Sequence, residues 1–198
     1  MSDKKTKFKI AGLPKAQGLY NPVNEHDACG VGMVLDIKNR ASFDIVEKGL
    51  AMLCNLEHRG AVGADPKAGD GSGLLIQIPH KFLEKKVSKN FSLPKPGNYA
   101  VGVMFIPDNS NDDKKIKKLV EDVCKKEGFN ILGWRLCPTY TKELGWSVLP
   151  STPIVYQLFI ERPDTEKSQD NFERKLYILR RCIEKAVLEI SDEIKEGF

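Results

Sequence analysis

No stretch of this chain approaches the roughly 18 consecutive apolar residues that a membrane-spanning helix needs. Its beginning, Met1-Ser2-Asp3-Lys4-Lys5, lacks the apolar core of a secretory signal, so a soluble, cytoplasmic protein with no membrane partner is expected. The sequon Asn90-Phe91-Ser92 carries no meaning without secretion. Cysteine is sparse. Cys29, Cys54, Cys124, Cys137 and Cys182 include no Cys-x-x-Cys spacing, and an odd total leaves no closed disulfide framework, which fits a reducing compartment. Only His26, His58 and His80 are present, too dispersed for a metal site. Gly69, Gly71 and Gly73 lack the sixth-position glycine of a dinucleotide fingerprint, and no Gly-Lys-Ser/Thr exists, so no nucleotide cofactor is expected in this chain. An excess of one charge is missing too: 31 basic against 27 acidic residues give a formal net charge of +4. Nucleic acid therefore finds no basic block. The densest run, Lys114-Lys115-Ile116-Lys117-Lys118, reads as the solvated face of a helix.

What is present suits one domain, since a chain of 198 residues can bury about 70% of its unfolded surface. Residues 1–28 show neither helical nor strand periodicity and read as a leader laid over the surface. Strands are expected over 30–37, 74–78, 99–106, 129–136 and 154–160, where alternation or β-rich apolar runs occur. Ser42 can cap a helix carrying Ile45, Val46, Leu50, Leu53 and Leu56 at helical spacing, with His58-Arg59-Gly60 at its end. Further helices are expected near 82–87, over 112–127 with Ile116, Leu119, Val120 and Val123 on one face, and over about 168–190. The last has Phe172, Leu176, Leu179, Ile183, Val187 and Ile190 as its apolar stripe. Pro94-Lys95-Pro96-Gly97 reads as a turn.

The residue that points furthest toward chemistry is Cys29, in Asp27-Ala28-Cys29-Gly30-Val31-Gly32 directly behind the leader. If the leader is removed, Cys29 carries both a thiol and a free α-amine. Their ordinary pKa values, about 8.5 and 8, let the amine accept the thiol proton near neutrality without any distant histidine. The plain structural alternative is a small buried residue opening a strand. Gly30 and Gly32 either leave room for a substrate amide or permit close strand packing, and both readings are compatible. Arg59 can lower a nearby thiol pKa or pair with a substrate carboxylate, although an arginine at a helix end is also a favourable charge on the helix dipole. His58 is better explained by that helix end than by a Cys-His dyad. Asp70, between Gly69 and Gly71, either lines a pocket or holds its loop through backbone amides, and turn chemistry favours the loop role.

Three joined strings sharpen this: 18–34 around Cys29, Asn55 to Asp65 with its Glu57-His58-Arg59-Gly60 core, and Gly69-Asp70-Gly71-Ser72-Gly73-Leu74 to His80. Together they resemble the opening of the glutamate synthase large subunit. Leu132-Gly133-Trp134-Arg135 through Pro150 and Gln157, and Phe172 to Arg181, fit the same family. The resemblance implies a class II glutamine amidotransferase domain over 29–198, of the amino-terminal-nucleophile hydrolase type, an α+β fold of four layers (αββα). It further implies L-glutamine as substrate, Cys29 as nucleophile and Arg59 as a residue ordering the site. Ammonia released from glutamine as a γ-glutamyl thioester forms on Cys29 would pass to the remaining synthase domains and combine with 2-oxoglutarate. For the full-length enzyme it implies FMN and an iron–sulfur cluster, allows FAD, and leaves the electron donor open between NADPH, NADH and ferredoxin or a small donor subunit.

One departure counts against a complete site. The family's oxyanion hole uses an Asn-Gly pair, and no Asn-Gly dipeptide occurs in these 198 residues. The chain is therefore expected to be the amino-terminal part of the domain and poorly active alone, because one oxyanion donor contributes about a hundredfold to a thousandfold in rate. An inactive fragment, a regulatory module, and another hydrolase with an amino-terminal cysteine are the alternatives. Ala68, Ser72 and Trp146-Ser147 also depart from the family and read as surface or packing variation.

Overall fold

The computed structural model describes residues 15–18, 30–56, 64–69, 71–108 and 110–195. The chain divides into two compact units, Met1–Ala61 and Val62–Phe198.

In the first unit an irregular segment and a turn at 37–38 lead into helix α1 (Phe43–Asn55). Ser42 is the N-cap, with extended φ −146° and ψ 152°, although its hydroxyl makes no capping bond. Residues 30–37, expected as a strand, form no strand among the described residues: 30–36 are irregular, Ile37 opens a turn, and Val31 and Ile37 are 87% and 95% exposed. Alternation encodes a face to be buried and supplies no partner, and a strand exists only through its ladder. A turn follows, in which the Asp36 carboxylate accepts the backbone N–H of Lys38 at 2.7 Å and the Arg40 guanidinium at 2.8 Å.

The second unit carries α2 (His80–Val87), β1 (Tyr99–Ile106), α3 (Ser110–Lys126), β2 (Ile131–Leu136), a 3-10 turn at Leu149–Ser151, β3 (Ile154–Glu161) and α4 (Gln169–Lys195). Each expected helix and the last three expected strands are present, within a few residues at their ends. The strand expected over 74–78 is not formed: these residues carry no regular structure and join no ladder among the described residues, for the same reason as 30–37. The sheet runs β1-β3-β2, with β3 antiparallel to both neighbours. β1 and β2 are therefore parallel to each other, which no hairpin can achieve, and α3 supplies the crossover between them. α3 ends in a Schellman motif: Gly128 at φ 79° lets Phe129 N–H reach Cys124 O at 2.8 Å and Gly128 N–H reach Lys125 O at 3.1 Å.

The two faces of the sheet bury different clusters. One packs Ile106, Leu158 and Ile160 against Ile116, Val120 and Cys124 of α3 and Phe172 and Leu179 of α4. Of the expected stripes, Ile116, Val120, Phe172 and Leu179 are buried and Val123, Leu176, Ile183 and Ile190 pack beside them half-buried, with Cys124 added. Lys117 departs from the solvated-face reading. It is half-buried, paired with Asp113 at 3.1 Å and set 3.4 Å from the centroid of the Tyr156 ring, while Lys114, Lys115 and Lys118 are exposed. The opposite face packs Tyr99 and Phe159 against Leu83 and Val87 of α2, with Phe91 and Leu132 beside them. Beyond that cluster the same face is open, leaving Val103 and Phe105 exposed.

Candidate functional site

Cys29, Arg59 and Asp70 lie outside the described residues, as do His26 and His58. What the structure gives is the backbone and packing on either side of them. In the first unit, Gly30 and Gly32 lie against the end of α1. A Cβ on Gly32 would stand 2.1 Å from Met52 Sδ, and one on Gly30 would stand 3.2 Å from Leu56 Cδ2. Close packing, one of the two compatible readings of these glycines, is therefore present. The residue after Cys29 thus touches the residue three positions before Arg59. The partner is a helix, not the neighbouring strand that was expected.

In the second unit, Asp65 is the charged side chain that is buried among the described residues, at 6% exposure. Its carboxylate accepts Ser147 N–H at 2.9 Å, the Ser147 hydroxyl at 2.8 Å and Lys67 N–H at 3.1 Å. The turn is doubled by backbone bonds, Ala68 N–H to Asp65 O at 3.0 Å and Gly145 N–H to Lys67 O at 3.3 Å. A Cβ on Gly145 would stand 2.3 Å from Asp65 Oδ2, so only glycine admits the carboxylate there. Residues 64–69 are in this way fastened to the turn at 145–149, immediately before the run that holds Asp70. Sequence reasoning passed over this pair. Asp65-Pro66 looks like local turn chemistry, and the partner is 82 positions away. Ser147, read as packing variation, is that partner.

The Ser147 backbone N–H, foremost, holds the Asp65 carboxyl below its usual range, helped by the Ser147 hydroxyl and Lys67. A depressed carboxylate contributes stability that is present above its unfolded pKa, about 4, and is lost as pH falls through the lower folded value. The stability difference between wild type and Asp65→Asn is accordingly expected to stay level from pH 7 to about 5 and to shrink below about 4. Denaturant titrations across that range check it; a difference that persists undiminished to the acid limit would remove the carboxylate from the account.

The described thiols differ in reactivity. Cys124 is fully buried, and burial pushes its thiol up to about 11, so it is an inert core residue. Cys54 is exposed. His80, expected to begin a helix after Pro79, does so, and its Nδ1 lies 3.0 Å from the Tyr99 hydroxyl. Among the described residues no three His, Cys, Asp or Glu side chains group as metal ligands, and no helix is long and apolar enough to cross a membrane. A polar cleft at the junction of β3 and α4 contains none of the candidate residues. Its Arg162 is committed to Glu166 O at 2.6 Å and Gln169 Oε1 at 3.1 Å.

Comparison with known proteins agrees with the motif strings. The chain is 45% identical over 172 residues to the glutamate synthase [NADPH] large chain of Bacillus subtilis, covering 87% of this chain and 11% of that protein. It is 38% identical over 175 residues to the glutamate synthase [NADH] of Schizosaccharomyces pombe, covering 85% and 8%. It is also 38% identical over 173 residues to the chloroplastic ferredoxin-dependent glutamate synthase of Oryza sativa subsp. japonica, covering 87% and 11%. The chain thus spans about a tenth of the length of these relatives. The family profile "Glutamine amidotransferases class-II" matches residues 29–197, opening at the cysteine that the motif singled out. With that match covering most of its length, the chain belongs to the class II glutamine amidotransferases, as they occur in glutamate synthases.

Proposed function

We propose that this chain is the glutaminase part of a glutamate synthase, hydrolysing L-glutamine to glutamate and ammonia through a thioester on Cys29. The observation that carries the reading is the family match opening at residue 29, joined to likeness with glutamate synthases over 87% of the chain. Residues 1–28 are a leader, and its removal frees the Cys29 amine. The Cys29 Sγ attacks the γ-carboxamide carbon while the α-amine takes the thiol proton and delivers it to the leaving nitrogen. The C–N bond breaks, ammonia departs, and a γ-glutamyl thioester remains. Water, giving its proton to the same amine, then attacks that carbon. The C–S bond breaks, glutamate leaves, and the thiol is restored.

Arg59 orders the site or pairs with the substrate carboxylate, and Asp70 holds the glycine-rich loop. The ammonia goes to 2-oxoglutarate in the rest of the polypeptide. In this reading FMN, an iron–sulfur cluster and, where present, FAD belong to the rest of the full-length enzyme and not to these residues. NADPH, NADH or ferredoxin would serve those other domains. The four-layer arrangement belongs to the same reading, supported by the open apolar face at Val103 and Phe105. A cytoplasmic setting suits the free thiols of Cys54, Cys124, Cys137 and Cys182.

Arg59→Lys tests the site assignment, because it keeps the charge and removes the planar fork. In the natural enzyme kcat/KM for glutamine hydrolysis is expected to fall about tenfold or more, roughly 1.4 kcal/mol of transition-state binding. An unchanged rate with a lowered melting temperature would assign Arg59 to the helix end instead.

A further inference from the structure

We propose that the outer edge of β1 is a docking edge for one further strand, the stretch of the same polypeptide that follows α4, laid antiparallel to β1. This rests on the reading above that the chain is part of a longer synthase. The register fixes which groups the edge offers. Asn98 O accepts Arg162 N–H at 2.9 Å, so in the pairing that runs from Tyr99 with Glu161 to Ile106 with Ile154 the even-numbered residues of β1 bond to β3. Tyr99, Val101, Val103 and Phe105 turn their backbone N–H and C=O groups the other way. Among the described residues no strand lies on that side, and no further backbone bond reaches Val101, Val103 or Phe105.

The two edges of the sheet differ. β2 is interrupted by a shift of register between Ile131 and Gly133 and carries Arg135, and both features discourage an incoming strand. β1, Tyr-Ala-Val-Gly-Val-Met-Phe-Ile, has no charged residue, no proline and no break in its register. An apolar edge of this kind, left bare, is a template for pairing, and its backbone groups call for a partner.

Topology names that partner. β1, α3, β2, β3 and α4 follow one another with both helices packed on the same face of the sheet, which is a split β-α-β arrangement short of its last strand. Crossovers between parallel strands of one sheet are almost always right-handed. α3 carries the chain from β1 past β3 to β2. Because β3 runs the opposite way, the same hand over the same face carries α4 back past β1. The next strand then lies outside β1, parallel to β3, where Val101, Val103 and Phe105 are open.

The test uses the natural enzyme. Amide hydrogen exchange in β1 is read residue by residue, and ammonia release from glutamine is measured on the same preparation. Val101, Val103 and Phe105 are expected to exchange within about tenfold of Ala100, Gly102 and Met104, whereas a bare edge would exchange about a hundredfold faster than the side held by β3. In parallel, the photo-cross-linker p-benzoylphenylalanine replaces Phe105, which is exposed. The cross-linked peptide is expected within about 20 residues after Lys195, since the connection from a helix to the next strand is short.

Fast exchange at all three positions overturns the inference. So does a cross-link to β1 of a second copy, to residues 74–78 or to any more distant part of the enzyme, each of which gives the edge a different occupant. A natural protein that ends close to Phe198 takes down the synthase reading and the inference together. Failure to release ammonia while the cross-link falls after Lys195 removes the glutaminase reading alone.

Discussion

Cys29→Ala is expected to abolish glutamine hydrolysis in the natural enzyme, by about ten-thousandfold or more, while glutamate formation from free ammonia continues. The expectation follows from the economy of the site: one residue provides the attacking sulfur and, once residues 1–28 are gone, the base that handles its proton. Removing such a nucleophile removes the covalent route altogether, and losses of about that size accompany it in enzymes whose groups act as a unit. Ammonia release from glutamine and ammonia-dependent glutamate synthesis, measured on the same preparation, separate the possibilities. Loss of both would give Cys29 a structural role. The mass of the mature amino terminus checks the other half of the argument. An enzyme that kept residues 1–28 and still hydrolysed glutamine would require a different base.

The largest effect on the fold is expected from Phe159→Ala, which should cost about 3–5 kcal/mol. Phe159 is completely buried on β3, the strand paired on both sides. Its ring meets Phe91 edge-on at 5.2 Å between centroids and stacks on Tyr99 at 6.4 Å. No neighbouring chain can slide in to fill the space, because the β3 backbone is held by two ladders. Against a typical total of about 5–15 kcal/mol, such a loss would unfold much of the population at moderate temperature. Val103→Ala, on the open part of the same face, is the comparison and should cost less than about 1 kcal/mol. Urea titration of the two variants measures both. Near-equal losses would mean that the Phe159 cluster is no more tightly packed than the exposed end of the sheet.

How far the sequence foretold this depends on the range of the interaction. The stripe of α4 was legible because Phe172, Leu176, Leu179 and Ile183 recur with the helix period, and burial of those positions follows from geometry alone. β1 and β3 were legible from apolar runs bounded by turn residues. The segments 30–37 and 74–78 carried the same signal and formed no ladder, since alternation says nothing of what a strand will pair with. Lys117 was hidden in a lysine run, because its cation–π partner Tyr156 comes from β3. Asp65 and Ser147 were invisible as a pair for the same reason, each looking locally like turn or surface chemistry. The candidate site stood apart from all of these. Cys29, Arg59 and Asp70 were read from motif strings and lie outside the described residues, so their reading rests on chemistry and kinship.

The placing of β3 between β1 and β2 bears on how the chain acquires its shape during synthesis. In register, Ile106 meets Ile154 and Tyr99 meets Glu161, while on the other side Trp134 meets Leu158. Both outer strands therefore leave the ribosome before the strand that joins them. Until the stretch around residue 161 has emerged, β1 and β2 carry unmet backbone donors and acceptors on the edges that β3 will occupy. Such edges are templates for wrong partners, and long-range pairing of this kind is slow compared with helix formation. The nascent chain is thus most exposed to misassociation during the interval between translation of Leu136 and of Glu161, with Pro138, Pro150 and Pro153 falling inside it.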